Sequence, residues 1–277
     1  MATTQKAAAP AKKNSGFGGV KAAWIILVIC AIAGYSVWYF VMGNPDNFIG
    51  GDRSGHPANL LGTVYKGGFV VGLILTLLFT VVCLGIERFF AIKSASGKMN
   101  LAKFTAQVKD AIRNQNFDQA RALCDKMQGS VANVVLASIN MYQSVEGEAT
   151  LKKAAKIAKI QQAHEEATQL EMPTLQMNMP ILATIVTLGT LTALFGTVVG
   201  MIRSFAALAS GGGGDSLQLS EGISEALVNT ASGILTSWFA VVAYNYYSNK
   251  IDKLTYALDE VGYTIAQTYE ANHAEEA

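Results

Sequence analysis

The sequence predicts an all-α, polytopic membrane protein with four transmembrane helices, and three observations carry that prediction. Hydrophobic residues make up 51% of the 277-residue chain and charged residues only 15%, with a mean hydropathy of +0.29. A soluble domain carries about 25% charged residues. The apolar residues gather into four continuous blocks of roughly the ~20 residues that a helix needs to cross ~30 Å of hydrocarbon. None of the blocks alternates as a strand would. Only helices and closed barrels satisfy their backbone hydrogen bonds in lipid, so continuous runs predict helices. Disorder, coiled coil, collagen and a disulfide scaffold are excluded as readings of the whole chain.

Residues 1–19 form a basic tail containing Lys6, Lys12 and Lys13. Residues 20–43 form the first span, with Trp24 at one end and Trp38 and Tyr39 at the other. Such flanking aromatics mark a membrane anchor. The run also exceeds the ~7–15 residues of a cleaved signal's apolar core, so it is read as retained. Residues 44–68 connect it to the second span, 69–90, which Glu87 and Arg88 close. Residues 91–179 form a charged helical region, with Phe117, Ala120, Leu123, Cys124 and Met127 at amphipathic spacing. The third span covers 180–209, a short loop 210–222, and the fourth span 223–248. In the C-terminal helix, 249–277, Ile251, Leu254, Leu258, Val261 and Ile265 recur at helical spacing. Spans three and four are therefore expected to extend beyond the bilayer as long helices. Lys and Arg concentrate in the tail, in 91–179 and after the fourth span. By the positive-inside rule both termini lie on the cytoplasmic side and the two short connections on the other.

Several functions are disfavoured. A net charge of +1 gives no footprint for nucleic acid. Cys30, Cys83 and Cys124 suggest neither a disulfide framework nor a metal site. His164-Glu165-Glu166 begins like a zinc-protease helix, but Thr168 stands where the second histidine belongs. Gly211–Gly214 lacks the Gly-Lys-Ser/Thr of a phosphate loop and reads as a linker. No catalytic constellation, metal site or cofactor is expected, and the chain is not read as an enzyme.

Polar side chains inside the last two spans are more informative. The third span carries Thr184, Thr187, Thr190, Thr192 and Thr197; Thr187, Thr190 and Thr197 lie close to one stripe. On the fourth, Glu225, Asn229, Ser232 and Thr236 share a face, and Thr230 and Ser237 an adjacent one. Two readings stay open: hydroxyls that glue helices together or bond their own backbone, and a wet interior that handles ions. Gly196 and Gly200 form a small-xxx-small pair suited to close helix packing. Glu225 is an intramembrane carboxylate and hence a functional candidate, although a capping role at the span's end competes. No Asp, Glu, Lys, Arg or His lies deep in any block. The chain therefore conducts nothing or borrows a carboxylate from a partner helix.

Leu194-Phe195-Gly196-Thr197-Val198-Val199-Gly200-Met201, followed by Arg203-Ser204-Phe205, resembles a signature span of the ExbB/TolQ/MotA family. Gly222-Ile223-Ser224-Glu225-Ala226-Leu227, then Thr230-Ala231-Ser232-Gly233, resembles the next span of ExbB and TolQ. The likeness is close over 180–250 and a matter of layout over 69–180. It implies an ion-driven stator subunit of the bacterial inner membrane. The implied assembly is a homopentamer around ExbD-like or TolR-like single spans, each bringing a buried aspartate, with a TonB-like protein passing on the work. By motif position Thr197 and Thr230 are the pathway threonines and Glu225 the carboxylate at its mouth. Thr187, Thr190, Asn229 and Ser237 are further candidates for its lining, and Gly196, Gly200 and Gly233 for helix packing. Here the chain departs from the ExbB pattern by an extra N-terminal span, by Phe239 in place of a proline, and by the polar Asn229 and Ser232. The ion, proton or sodium, stays open, as do TolQ-type envelope maintenance, MotA-type or gliding motility, and a non-conducting scaffold.

Overall fold

The computed structural model describes residues 19–20, 22–53, 55–148, 150–210 and 216–273. The basic tail up to residue 18 and the glycine run 211–214 lie outside them. Among the described residues nine α-helices account for most of the chain. Among the described residues the only extended pairing is an isolated bridge between Phe48 and Pro57. Four helical stretches, adjacent helices counted together, are long and apolar enough to cross a bilayer: Ala23–Met42, Phe69–Arg113, Lys153–Ala206 and Leu219–Asn272. The chain is a multi-pass membrane protein. It divides into two compact units.

The first unit comprises Val20–Arg88 and Asn178–Tyr247. Helix α1 (Ala23–Ser36) passes into a π-helical turn over Val37–Met42. A short, capped helix α2 (Leu60–Lys66) precedes α3 (Phe69–Ser96). Apolar side chains such as Trp24, Ile29, Ile32 and Phe40 are largely exposed, as lipid-facing residues are. Between α1 and α2 the chain folds around Asn47. Its amide donates to Val41 O and Met42 O at 2.8 and 2.9 Å, and its Oδ1 accepts from Asn59 Nδ2 at 2.8 Å. Asn59 in turn caps α2 by accepting from Gly62 N. The Trp38 and Tyr65 rings stack at 5.1 Å, fastening the end of the first span to α2.

The same unit holds α8 (Met179–Ser210) and the first part of α9 (Ser216–Asn272). The charged helix α7 (Lys153–Gln176) does not run unbroken into the third span. Asn178 adopts a left-handed φ of 63° and interrupts it. Asn tolerates that conformation better than most side chains. The 57-residue α9, by contrast, is continuous, in line with the long fourth helix that its apolar spacing predicts.

Within α3, ahead of its last turns, the structure buries an ion pair. Arg88 is fully buried and donates to the Glu87 carboxylate through two nitrogens. Glu87 also accepts from Val20 N at 2.9 Å and from Asn178 Nδ2 at 3.3 Å. Three chain segments therefore converge on one carboxylate.

The second unit contains Phe89–Met177 and the described residues from Ser248 onward. Helices α4 (Leu101–Arg113), α5 (Phe117–Met127) and α6 (Gly129–Glu146) pack with α7 and the end of α9. Asn100 and Asn116 cap α4 and α5 by accepting from Lys103 N and Gln119 N. The core is the sum of the amphipathic faces: Phe104, Val108 and Ile112; Ala120, Cys124 and Met127; Val135, Ile139 and Tyr142; and Ile251, Leu254, Leu258, Val261 and Ile265. Burial pushes the Cys124 thiol up to about 12, with Asp125 adding to the rise. It packs as a small apolar residue.

One core group titrates. His164 on α7 lies with Nδ1 2.9 Å from Ser138 Oγ on α6. A methyl group on Gly262 of α9 would sit 2.5 Å from its Cδ2. Burial holds this imidazole below its ordinary range, against the opposing pull of Asp259 and Glu165. A folded-state value below the unfolded one gives full stability above the unfolded pKa of about 6.5 and loses it as pH falls through the folded value. The melting temperature is therefore expected to drop from about pH 6.5 downward, and His164→Gln to flatten that drop. Equal acid slopes for wild type and variant in thermal melts followed by circular dichroism would remove His164 as the cause.

Candidate functional site

The site grows from a seam of small residues between α8 and α9. On α8 these are Gly189, Ala193, Gly196, Gly200 and Ser204; on α9 they are Gly222, Ala226, Asn229, Gly233 and Ser237. Both rows advance by four, three, four and four residues, which keeps a single stripe on each helix. The backbones approach until side chains no longer fit. A Cβ on Gly196 would lie 2.7 Å from Asn229 Cβ, and one on Gly200 2.9 Å from Gly222 O. A Cβ on Gly233 would lie 2.6 Å from Gly189 O. Close approach through small residues is how helices associate where lipid removes the hydrophobic drive.

Hydroxyls flanking this seam meet across it. Thr197 Oγ1 lies 2.6 Å from Thr230 Oγ1, and Thr190 Oγ1 lies 3.0 Å from Ser237 Oγ. The two rungs are seven residues apart on each helix, about 10 Å along the axis. Thr190 is exposed and the other three are half-buried, so the rungs look out from the helix pair. Each threonine of the first rung is also within reach of a carbonyl of its own helix: Thr197 of Ala193 O and Thr230 of Ala226 O, both at 3.0 Å. A hydroxyl has one proton to give. With one proton between the two oxygens, the hydroxyl that accepts it donates its own to its helix carbonyl. Either threonine can play either part. Such a pair can relay a proton and cannot hold a fixed charge.

Part of the seam edge of α9 also faces the α2–α3 turn. Asn229 is fully buried; its Nδ2 donates to Gly67 O at 3.0 Å, and its Oδ1 finds no partner among the described residues. Glu225 is also buried and accepts from Arg203 Nη1 at 2.7 and 3.0 Å. Gly68, at φ 74°, presses on the same carboxylate; a side chain there would lie 2.8 Å from Glu225 Oε1. Left-handed φ and contact together demand glycine. Lys66 lies 3.8 Å from Glu221. Arg203, Glu225, Lys66, Glu221 and His56 line a cavity of about 510 Å³.

The candidates thus separate into two places. Thr197 with Thr230, and Thr190 with Ser237, form the rungs. Glu225 turns toward the α2–α3 turn, and Asn229, packed in the seam against Gly196, reaches the same turn with its amide. Thr187 is exposed, and Gly196, Gly200 and Gly233 lie in the seam. Sequence reasoning missed the Arg203 partner of Glu225 and the Gly67–Gly68 turn, which belong to segments far apart in the chain. It also missed Gly189, Ala193, Gly222 and Ala226, whose four–three spacing was there to be read.

Fold and site together define a polytopic α-helical membrane protein whose last two spans pair hydroxyls at a depth where the sequence has no charge. Residues 129–260 match the model of the MotA/TolQ/ExbB proton channel family. It is 31% identical over 129 residues to the Tol-Pal system protein TolQ of Pseudomonas aeruginosa, covering 46% of this chain and 51% of that one. TolQ of Haemophilus influenzae is 38% identical over 89 residues, 32% of this chain and 39% of that one. The ExbB-like 1 biopolymer transport protein of Synechocystis is 39% identical over 85 residues, 30% of this chain and 34% of that one. The matches span from about a third to a half of the length of these relatives.

Proposed function

We propose that the chain is the ion-conducting subunit of a membrane stator that turns an ion gradient into mechanical work. The Thr197–Thr230 hydroxyl pair carries this reading, because it offers a proton a route while the spans supply no titratable group at that depth. The missing acid comes from an ExbD-like partner whose single span bears a buried aspartate. That span sits inside a ring of copies of this chain, a homopentamer by family resemblance. The membrane is the bacterial inner membrane, with both termini cytoplasmic, and a TonB-like protein passes the work to outer-membrane transport. Valine matches threonine in shape but lacks the hydroxyl. In vesicles containing this chain and its partner, Thr230→Val is expected to reduce carboxylate-dependent proton uptake to the level of empty vesicles, while the complex still assembles. Undiminished uptake would remove the hydroxyl pair from the pathway. Absence of uptake in the wild-type complex would favour a non-conducting scaffold.

A TolQ-type role in envelope maintenance is the second reading, favoured by the likeness to the two Tol-Pal system proteins. Deleting the chain separates the two: loss of energised uptake with intact detergent resistance indicates the TonB branch, and the reverse indicates the Tol branch.

A further inference from the structure

The cavity beside the α2–α3 turn has a charge arrangement that the hydroxyl rungs do not require. Its acids, Glu221 and Glu225, each stand beside a fixed cation. Arg203 Nη1 contacts both oxygens of Glu225, at 2.7 and 3.0 Å, and Lys66 Nζ lies 3.8 Å from Glu221. Two positive and two negative groups leave no net charge around the cavity. Arg203, Glu221 and Glu225 belong to the family-matched segment 129–260, whereas His56, Lys66 and Gly68 come from outside it. The N-terminal part of the chain therefore helps to build this cavity, which the proposed function makes the mouth of the pathway.

Metal cations and protons meet such a mouth differently. An alkali cation needs several converging oxygens that are free to replace its water, and nearby fixed cations repel it. Here the oxygens of Glu225 are already turned to a guanidinium, and Gly68 closes on Oε1. A proton needs only a chain of donors and acceptors. A polar cavity of about 510 Å³ has room for water to complete one.

We propose that Arg203 and Lys66 are specificity-determining residues, which by neutralising Glu225 and Glu221 bar sodium from this mouth while leaving protons a hydrogen-bonded route. The proposal rests on the reading of the chain as an ion-conducting subunit and names its selectivity. Its test is binding, so it does not depend on flux. The full chain, purified in detergent with the partner subunits that accompany it, is melted in sodium chloride and in choline chloride of equal concentration. The pH is about 8, above the ordinary carboxylate range. Wild type and Arg203→Lys are expected to melt at the same temperature in both salts. The double variant Arg203→Gln/Lys66→Gln exposes two unpaired carboxylates and is expected to melt several degrees higher in sodium. Lys66→Gln alone, the milder change should the double variant not fold, is expected to shift in the same direction by less. A wild type stabilised by sodium, or a folded double variant or Lys66→Gln protein indifferent to it, overturns the proposal. Failure of the conducting reading appears separately, as wild-type vesicles that take up no protons.

Discussion

Valine in place of Gly200 is expected to prevent α8 and α9 from pairing and to leave little folded protein in the membrane. A Cβ at this position would stand 2.9 Å from the Gly222 carbonyl oxygen and 3.0 Å from Ala226 Cβ. The first of these is backbone and has no rotamer to escape into. Overpacking a fitted interface costs about 1–3 kcal/mol, and a clash with backbone belongs at the top of that range. That is a large part of the roughly 5–15 kcal/mol by which a folded domain is stable. The seam repeats the constraint at Gly189, Gly196 and Gly233, so valine at any of them is expected to act alike. Gly85→Ala is the control: a Cβ there meets only Tyr247 Oη, at 4.0 Å. Yield of folded protein in detergent and its thermal melt provide the measurement. A Gly200→Val protein that melts with the wild type would mean that the two helices do not touch along these residues.

Removing the carboxylate of Glu87 is expected to be the second large effect. Arg88 is fully buried with its guanidinium against that carboxylate, which Val20 N and Asn178 Nδ2 also use. Breaking a buried pair by deleting one member costs about 3–5 kcal/mol, because the other charge stays out of water. Glu87→Leu is therefore expected to lose several kcal/mol in denaturant unfolding. The double variant Glu87→Leu/Arg88→Leu removes both charges and is expected to recover much of that loss. If the single variant proves as stable as the wild type, the ion pair does not hold these segments together. If the double variant is worse than the single, Arg88 contributes through other contacts.

The spans were legible because a bilayer demands long apolar runs, and no packing detail can hide them. The core face of α9 after the membrane was legible for a similar reason: Ile251, Leu254, Leu258, Val261 and Ile265 follow the helical period on their own. The hydroxyl candidates could be named singly, since Thr190, Thr197, Thr230 and Ser237 fall on stripes. Their pairing across two helices could not, because it depends on the antiparallel register that the small residues fix. Glu225 was visible as a buried acid, but its partner Arg203 and the turn at Gly67–Gly68 are tertiary facts. So is the knot at Glu87, which joins residues 67 and 91 positions apart in the chain. The break at Asn178 turns on a single left-handed residue, for which a charged stretch leading to Pro180 gives no clear sign.

The rung formed by Thr197 and Thr230 has a symmetry with a thermodynamic meaning. Both oxygens belong to threonine hydroxyls, both have a carbonyl of their own helix at 3.0 Å, and a single proton lies between them. The arrangement in which one donates and its mirror image are therefore nearly degenerate. A proton relayed across such a pair would leave both hydroxyls turned, and they would have to rotate back before another could follow in the same sense. A near-degenerate element of this kind contains no arrow. On the proposed function, any direction of flux would have to be imposed from elsewhere, by the gradient and by groups that exist in unequal protonation states on the two sides.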